Sequence, residues 1–354
     1  MDKNTTSGSQ YHSLKTEISR GMITERKQET KLVESSGREA PNFGARIAVV
    51  IPCYNEEVTI GAVVRDFRVA LPDATIYVFD NNSSDRTIAC AREAGAIVNT
   101  VREQGKGNVI RRMFADVEAD VYLLIDGDGT YDASAAPILI EEMLAHGLDM
   151  VVASRTSTER EAYRPGHRFG NWLLTACVMM IFGRSLTDML SGYRVFSRRF
   201  VKSFPAHASG FETETELTVH AYELRMPVSE IKTVYRSRPP GSSSKLNTYR
   251  DGLRILLTIF RLFKAEKPLV FFAIGFLFCA AASVILALPL LATYLETGLV
   301  PRIPTAVLAA SLMLFGALLL TCGIVLNTVT RGRMEIKRLA YLAVPGLWRS
   351  GTHG

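Results

Sequence analysis

The chain has few of the residues that build disulfide frameworks or zinc sites. Its 354 residues include five cysteines (Cys53, Cys90, Cys177, Cys279 and Cys322), and no two form a CxxC pair. That spacing excludes a disulfide scaffold and suits a reducing compartment. No GxxxxGK[ST] occurs, and no GxGxxG follows the first apolar run. A P-loop and a dinucleotide-binding fingerprint are therefore missing. Zinc-finger and RNA-binding aromatic signatures are missing too, so no nucleic-acid partner is expected. The net charge of +6 then points to phosphates or an acidic lipid surface. Residues 1–44 lack the apolar core of a secretion signal. They are polar, charged and rich in Ser, Thr and Gly, and read as a mostly disordered tail.

Charge is absent over two long intervals, between Lys267 and Glu296 and between Arg302 and Arg331. Each exceeds the roughly 20 apolar residues that cross a bilayer. Two membrane spans are expected, at about 269–292 and 305–328, within a hairpin over 268–330. Arg261, Lys264 and Lys267 precede the first span, and Arg331, Arg333, Lys337 and Arg338 follow the second. The positive-inside rule then places both termini, and the domain before the hairpin, on the cytosolic side of an inner membrane or its equivalent. Residues 249–267 alternate apolar and basic positions near helical spacing, which suits a helix lying in the membrane interface. Residues 331–354 read as a cytosolic tail.

The region 45–248 has a different pattern. Short apolar, often β-branched runs at 47–51, 75–79, 96–100, 121–125 and 150–153 alternate with helical patterns near 57–70, 85–94, 107–118 and 134–146. Such alternation predicts an α/β domain with a mainly parallel sheet. Ser83, Ser84 and Asp85 suit the start of the second helix. Ligands of parallel sheets bind beyond the C-terminal strand ends. Three polar clusters fall there: PCYNEE (52–57), DNNSSD (80–85) and DGDG (126–129). In the last, residues i and i+2 face the same side, so Asp126 and Asp128 can address one point. Two carboxylates that close repel unless a cation lies between them. Hard oxygen ligands favour Mg²⁺ or Mn²⁺, and Gly127 and Gly129 let a bulky polar ligand approach the backbone. The expected ligand is a metal-bound diphosphate.

The ordered motifs PCYNEE, DNNSSDRT and DGDGTYD resemble glycosyltransferase family 2, whose catalytic domain has the GT-A fold. TDMLSGYRVFSRR, GFETETEL and YRSRPPGSSSKLN are similar to regions of its dolichyl-phosphate mannose synthases and polyprenyl-phosphate glycosyltransferases. The resemblance implies a nucleotide-diphosphate sugar donor, a polyprenyl-phosphate acceptor and inversion at the sugar. It also implies roles. Pro52, Tyr54, Glu56, Asp80 and Asn81 are expected at the nucleoside. Lys106, Asp126, Gly127 and Asp128 are expected at the sugar diphosphate, with Asp126 and Asp128 holding the metal. Arg155, Arg168, Arg238 and Lys245 are expected at the acceptor phosphate, with Asp126, Asp128 and Arg155 counted as catalytic. Asn81 departs from the family's frequent second aspartate, which leaves the choice between UDP and GDP open. A homo-oligomer is left open as well.

A phosphate monoester acceptor has a second pKa near ~6, so it is largely a dianion at neutral pH. It needs no strong general base. Competing expectations are a processive polysaccharide synthase, a catalytically silent scaffold that binds nucleotide sugars, and a transporter. The chain has no QxxRW motif and no apolar span before residue 45, unlike processive synthases. It also lacks the charged mid-span residues that transport pathways use.

Overall fold

The computed structural model describes residues 43–156, 176, 186–206, 213–238, 257, 260–261 and 263–346. The chain divides into two units, Met1–Asn42 and Phe43–Gly354, and every described residue belongs to the second. Seven strands among them form one sheet: β1 (Ile47–Cys53), β2 (Thr75–Asp80), β3 (Ile97–Thr100), β4 (Val121–Leu124), β5 (Met150–Thr156), β6 (Arg194–Ser197) and β7 (Val228–Val234). Their order is β3-β2-β1-β4-β6-β5-β7. All neighbours pair in parallel except β6, which is antiparallel to both β4 and β5.

The central strands are buried on both faces, and alternation along β1 sorts its residues. Ala48 and Val50 join one hydrophobic cluster, whereas Ile47, Val49 and Ile51 join the other. The first cluster takes Val109, Ile110 and Met113 from helix α3 (Lys106–Asp116), with Phe200 and Val201 from α5 (Arg198–Ser203) and Leu217 and Ala221 from α6 (Thr213–Glu223). The second takes Ile60, Val64 and Phe67 from α1 (Ile60–Ala70), Ala91 from α2 (Thr87–Glu93), and Leu139, Ile140 and Met143 from α4 (Ala136–His146). Each fully buried Ile, Val, Leu or Phe contributes about 1.5–3 kcal/mol. Helix α2 begins later than the sequence suggests: Arg86 occupies the cap position without a side-chain bond, and Asp85, one residue before it, accepts from the Thr87 N–H at 2.9 Å.

Topology decides what reaches the functional edge. Parallel β1, β2 and β4 end there, and Cys53 pairs with Asp80 in register. Because β6 runs the other way, its beginning lies at that edge, with Arg194 opposite Leu124. The loop before β6, which contains Ser191-Gly192-Tyr193, thus sits beside the acids that follow β4. Arg194 is fully buried and fastens this loop. It donates to Ser191 O, Met189 O and the Thr218 hydroxyl of α6.

Two further helices, α7 (Pro268–Thr297) and α8 (Ile303–Leu342), are long and apolar enough to cross a membrane. Leu277, Phe278, Ile285, Leu288, Leu314 and Leu318 point away from the protein. A helix buried in a soluble core would not leave so many apolar side chains uncovered. Glycines set how closely the pair packs: a Cβ on Gly323 would stand 2.9 Å from Phe272 Cβ. The segment after 331, expected as a tail, instead continues α8 to Leu342, and α8 packs against α5. At 40 residues and ~1.5 Å each, α8 outruns the ~30 Å hydrocarbon core. Its far end is tied to the sheet domain. Lys337 pairs with buried Glu223 at 2.6 Å, and the Tyr341 hydroxyl donates to Asp149 at 2.8 Å beneath the Arg199 guanidinium.

Glu266, just before α7, shares this junction. Burial and the neighbouring Glu223 carboxylate push its pKa up to about 8, while Glu223 stays low. Folded Glu266 therefore keeps a proton that the unfolded chain releases near pH ~4.3. Its stabilising contribution is complete below that value and is lost as pH rises through about 8. The melting temperature of the detergent-solubilised protein is expected to fall from pH 7 to pH 9, and Glu266→Gln is expected to flatten that decline. Superimposable pH profiles for the two proteins would contradict the assignment.

Candidate active site

Three loops close on the C-terminal ends of β1, β2 and β4. The Asn55 N–H donates to Ser83 Oγ at 2.8 Å, Ser84 N–H returns a bond to Asn55 Oδ1 at 2.8 Å, and Glu56 N–H donates to Thr87 Oγ1 at 2.8 Å. Thr59 Oγ1 donates to the Gly127 carbonyl at 2.7 Å, joining the first loop to the third. The three polar clusters read from the sequence thus form one surface. Tyr54 stands on it partly exposed, between Pro52 and Glu56.

Asp80 lies at the bottom of this surface, fully buried. Its Oδ2 accepts from Ser83 N–H at 3.1 Å, but its Oδ1 has no hydrogen-bond partner among the described residues. A buried acceptor left unpaired is costly, and this oxygen is itself covered by the protein. Asn81 is committed elsewhere. Its amide donates to Val101 O and Glu103 O and accepts from Gly105 N–H at 2.7 Å. A carboxylate has no hydrogens for the two carbonyls. Asn81 thereby holds the turn that ends in Gly105, at φ 128°, and starts α3 at Lys106.

Lys106 Nζ lies 2.5 Å from Asp126 Oδ1 and 2.5 Å from Glu214 Oε1, in the first turn of α6. Burial alone would lower its pKa, but the charges and hydrogen bonds of Asp126 and Glu214 raise it overall, so the ammonium stays charged. Asp128 is 6% exposed. Its Oδ1 accepts from Thr130 Oγ1 at 2.6 Å and Thr130 N–H at 3.2 Å, and its Oδ2 meets Arg238 Nη2 at 2.7 Å. Arg238 gets there because the chain after β7 folds back. Tyr235 bridges to Tyr131, and Arg236 N–H donates to Thr130 O. Backbone clearance matters twice. A Cβ on Gly192 would come within 2.2 Å of Asp126 Oδ2, and one on Gly127 within 2.6 Å of Cys53 Sγ.

Arg155, at the end of β5, forms a two-pronged pair with Asp188: Nε to Oδ2 at 2.6 Å and Nη2 to Oδ1 at 2.8 Å. Its guanidinium also lies 5.4 Å from the Tyr235 ring centroid. Glu230 on β7 fixes the other side of Asp188 by accepting from its backbone N–H at 3.0 Å. Arg168, Lys245 and most of 249–267 lie outside the described residues. Sequence reading missed Glu214 and Gly192. ETETE offers three glutamates (Glu212, Glu214 and Glu216) with nothing to rank them, and only the placement of α6 selects Glu214. The close fit of Gly192 depends on the antiparallel return of β6.

Among the described residues, no three His, Cys, Asp or Glu side chains gather as a metal cage. Asp126 and Asp128 still suit Mg²⁺ or Mn²⁺, which are commonly held by one or two carboxylates together with substrate phosphates and water. Both acids already require a cation, and each has one from the chain itself.

The profile of Glycosyl transferase family 2 matches residues 48–204. Glycosyltransferase AglJ of Haloferax volcanii is 33% identical over 307 residues, covering 84% of this chain and 98% of that protein. A dolichyl-phosphate hexose transferase of the same organism is 25% identical over 221 residues, covering 62% of this chain and 95% of its own length. Among solved structures, glucosyl-3-phosphoglycerate synthase of Mycobacterium tuberculosis, in complex with Mn²⁺, uridine diphosphate and phosphoglyceric acid, superposes with a TM-score of 0.50 at 24% identity. It covers 61% of this chain and 78% of that one, and shows a shared fold.

The Arg155–Asp188 pair sets an acid limit on this region. Burial raises the Asp188 pKa, but the hydrogen bonds and charge of Arg155 outweigh it and hold the carboxyl below its ordinary value. The stabilisation is therefore present above pH ~4 and lost as pH falls through the lowered value. Asp188→Asn is expected to cost about 1.5–3 kcal/mol at neutral pH in chemical denaturation. The gap from the wild type is expected to close as pH falls through that lowered value, and a gap constant with pH would contradict it.

Proposed function

The chain belongs to glycosyltransferase family 2, and from that premise we propose that it transfers a sugar from a nucleotide-diphosphate sugar to a polyprenyl phosphate, with inversion, at the cytosolic face of a membrane. One observation carries the reading: Asp126 and Asp128, each neutralised by a basic side chain, stand where the loops after β1, β2 and β4 are bonded together. Pro52, Tyr54, Glu56 and Asp80 surround the nucleoside, and Asn81 holds the turn before Lys106 rather than the base. Gly127, expected to open the backbone to the diphosphate, instead packs against Cys53 and lets the turn between the two acids fit the core. A divalent ion on Asp126 and Asp128 would offset the charge that grows on the leaving nucleoside diphosphate.

The chain's own residues then bind and orient. Lys106 supplies a positive charge beside the diphosphate. Arg155 and Arg238, with Arg168 and Lys245, orient the acceptor phosphate, because guanidinium groups grip phosphate oxygens in pairs. Asp188 and Tyr235 keep Arg155 from swinging. The attacking oxygen is already ionised at neutral pH, so no residue need remove a proton. The apolar hairpin supports a lipid acceptor, since α8 ties the sheet domain to a segment suited to the bilayer. The relative named for dolichyl-phosphate hexose transfer supports it too. The basic residues flanking both spans favour the cytosolic orientation.

The test incubates membranes containing the protein with a panel of nucleotide sugars and undecaprenyl or dolichyl phosphate, then weighs the extracted lipid. A lipid heavier by one sugar is expected, and no product from any pair favours a silent scaffold. Asp128→Ala is expected to abolish transfer while the protein stays folded. Arg155→Ala is expected to raise the KM for lipid phosphate at least tenfold with little effect on the KM for donor. A change confined to donor KM would remove Arg155 from the acceptor side.

A further inference from the structure

We propose that Lys106 is an exchangeable counter-ion: a divalent cation takes Asp126 Oδ1 by displacing its ammonium, which Glu214 retains and delivers to the donor diphosphate. The proposal deepens the reading above and rests on it. Lys106 Nζ sits equally close, at 2.5 Å, to carboxylates from two different elements. Only one of them belongs to the Asp-Gly-Asp turn. Asp126 is the more open partner, with its side chain 27% exposed against 6% for Glu214. An incoming ion therefore meets Asp126 first, and Glu214 keeps the lysine.

The surroundings limit other responses. Asp126 cannot withdraw toward the loop before β6, because Gly192 already lies against its Oδ2 with no space for a methyl group. Lys106 cannot leave with its backbone, because Asn81 clamps the turn ahead of it by three hydrogen bonds. The side chain moves instead. One ammonium between two carboxylates leaves a net charge of −1 at this spot, and removing it from Asp126 costs its attraction to that acid. A diphosphate repays that cost by accepting the released charge. Cation and nucleotide binding are then coupled through Lys106, and the cation binds weakly on its own.

The experiment measures Mn²⁺ affinity by electron paramagnetic resonance on the purified full chain in detergent, with and without UDP or GDP. Wild type is expected to bind Mn²⁺ at least tenfold more tightly when its nucleotide is present. Lys106→Met is expected to bind Mn²⁺ alone about tenfold more tightly than wild type and to lose most of the nucleotide effect. Glu214→Gln is expected to bind Mn²⁺ alone more weakly, because the ammonium then rests on Asp126 only. This second variant decides the matter if Lys106→Met does not fold. The proposal is overturned if wild type binds the ion but Lys106→Met is no tighter or keeps the full nucleotide effect, or if Glu214→Gln binds as tightly as wild type. Failure of wild type to bind Mn²⁺ even with nucleotide would overturn both this proposal and the metal assignment beneath it. Lipid product formed in excess chelator would overturn the metal assignment while leaving sugar transfer itself standing.

Discussion

The contact on which this site depends is the ammonium of Lys106 held between the carboxylates of Asp126 and Glu214. Its three members come from the start of α3, the loop after β4 and the first turn of α6. None is near another in sequence, so the contact exists only when the sheet is complete. Without a cation, the two acids would repel across a poorly solvated gap. A second cation, Arg238, does the same for Asp128 from the segment that follows β7. The site is thus folded around its own charges. Under the proposed function it would suit a ligand that brings both a divalent cation and a polyanion.

The antiparallel strand β6 explains much of the rest. Parallel β1, β2 and β4 deliver loops by their ends, and β6 adds a loop by its beginning at the same edge. That loop presses Gly192 against Asp126 and connects through buried Arg194 to α6, which carries Glu214. At its other end α6 carries Glu223, paired with Lys337 of α8. One short helix therefore meets these acids at one end and the apolar helical hairpin at the other. The length of α8, greater than a bilayer core is thick, makes this possible, and Tyr341 on Asp149 completes the attachment.

Much of this was legible in the sequence. Strands β1 to β5 are short, β-branched and spaced by amphipathic helices, and that periodicity survives without tertiary information. The Asp-Gly-Asp turn, the asparagine-rich loop and the two uncharged spans were equally plain. Strands β6 and β7 were not expected. Arg194-Val195-Phe196-Ser197 is only four residues long, and its direction depends on the path of the preceding chain rather than on its composition. Glu214 was hidden among three alternating glutamates. Asn81 was expected at the nucleoside, but its amide is spent on the turn before Lys106. This is a property of the folded loop that its identity alone does not reveal. Arg155 was named from its motif, but its bond to Asp188 depends on the path of the segment that leads into β6.

The most direct measurement of the central claim is anomalous diffraction from crystals of the protein grown with Mn²⁺ and a nucleoside diphosphate. The account predicts a single strong peak bonded to carboxylate oxygen of Asp126 or Asp128 and to phosphate oxygen, with the Lys106 ammonium off Asp126 and still on Glu214. A well-occupied nucleotide with no manganese at these acids, and Lys106 unmoved from Asp126, would contradict it.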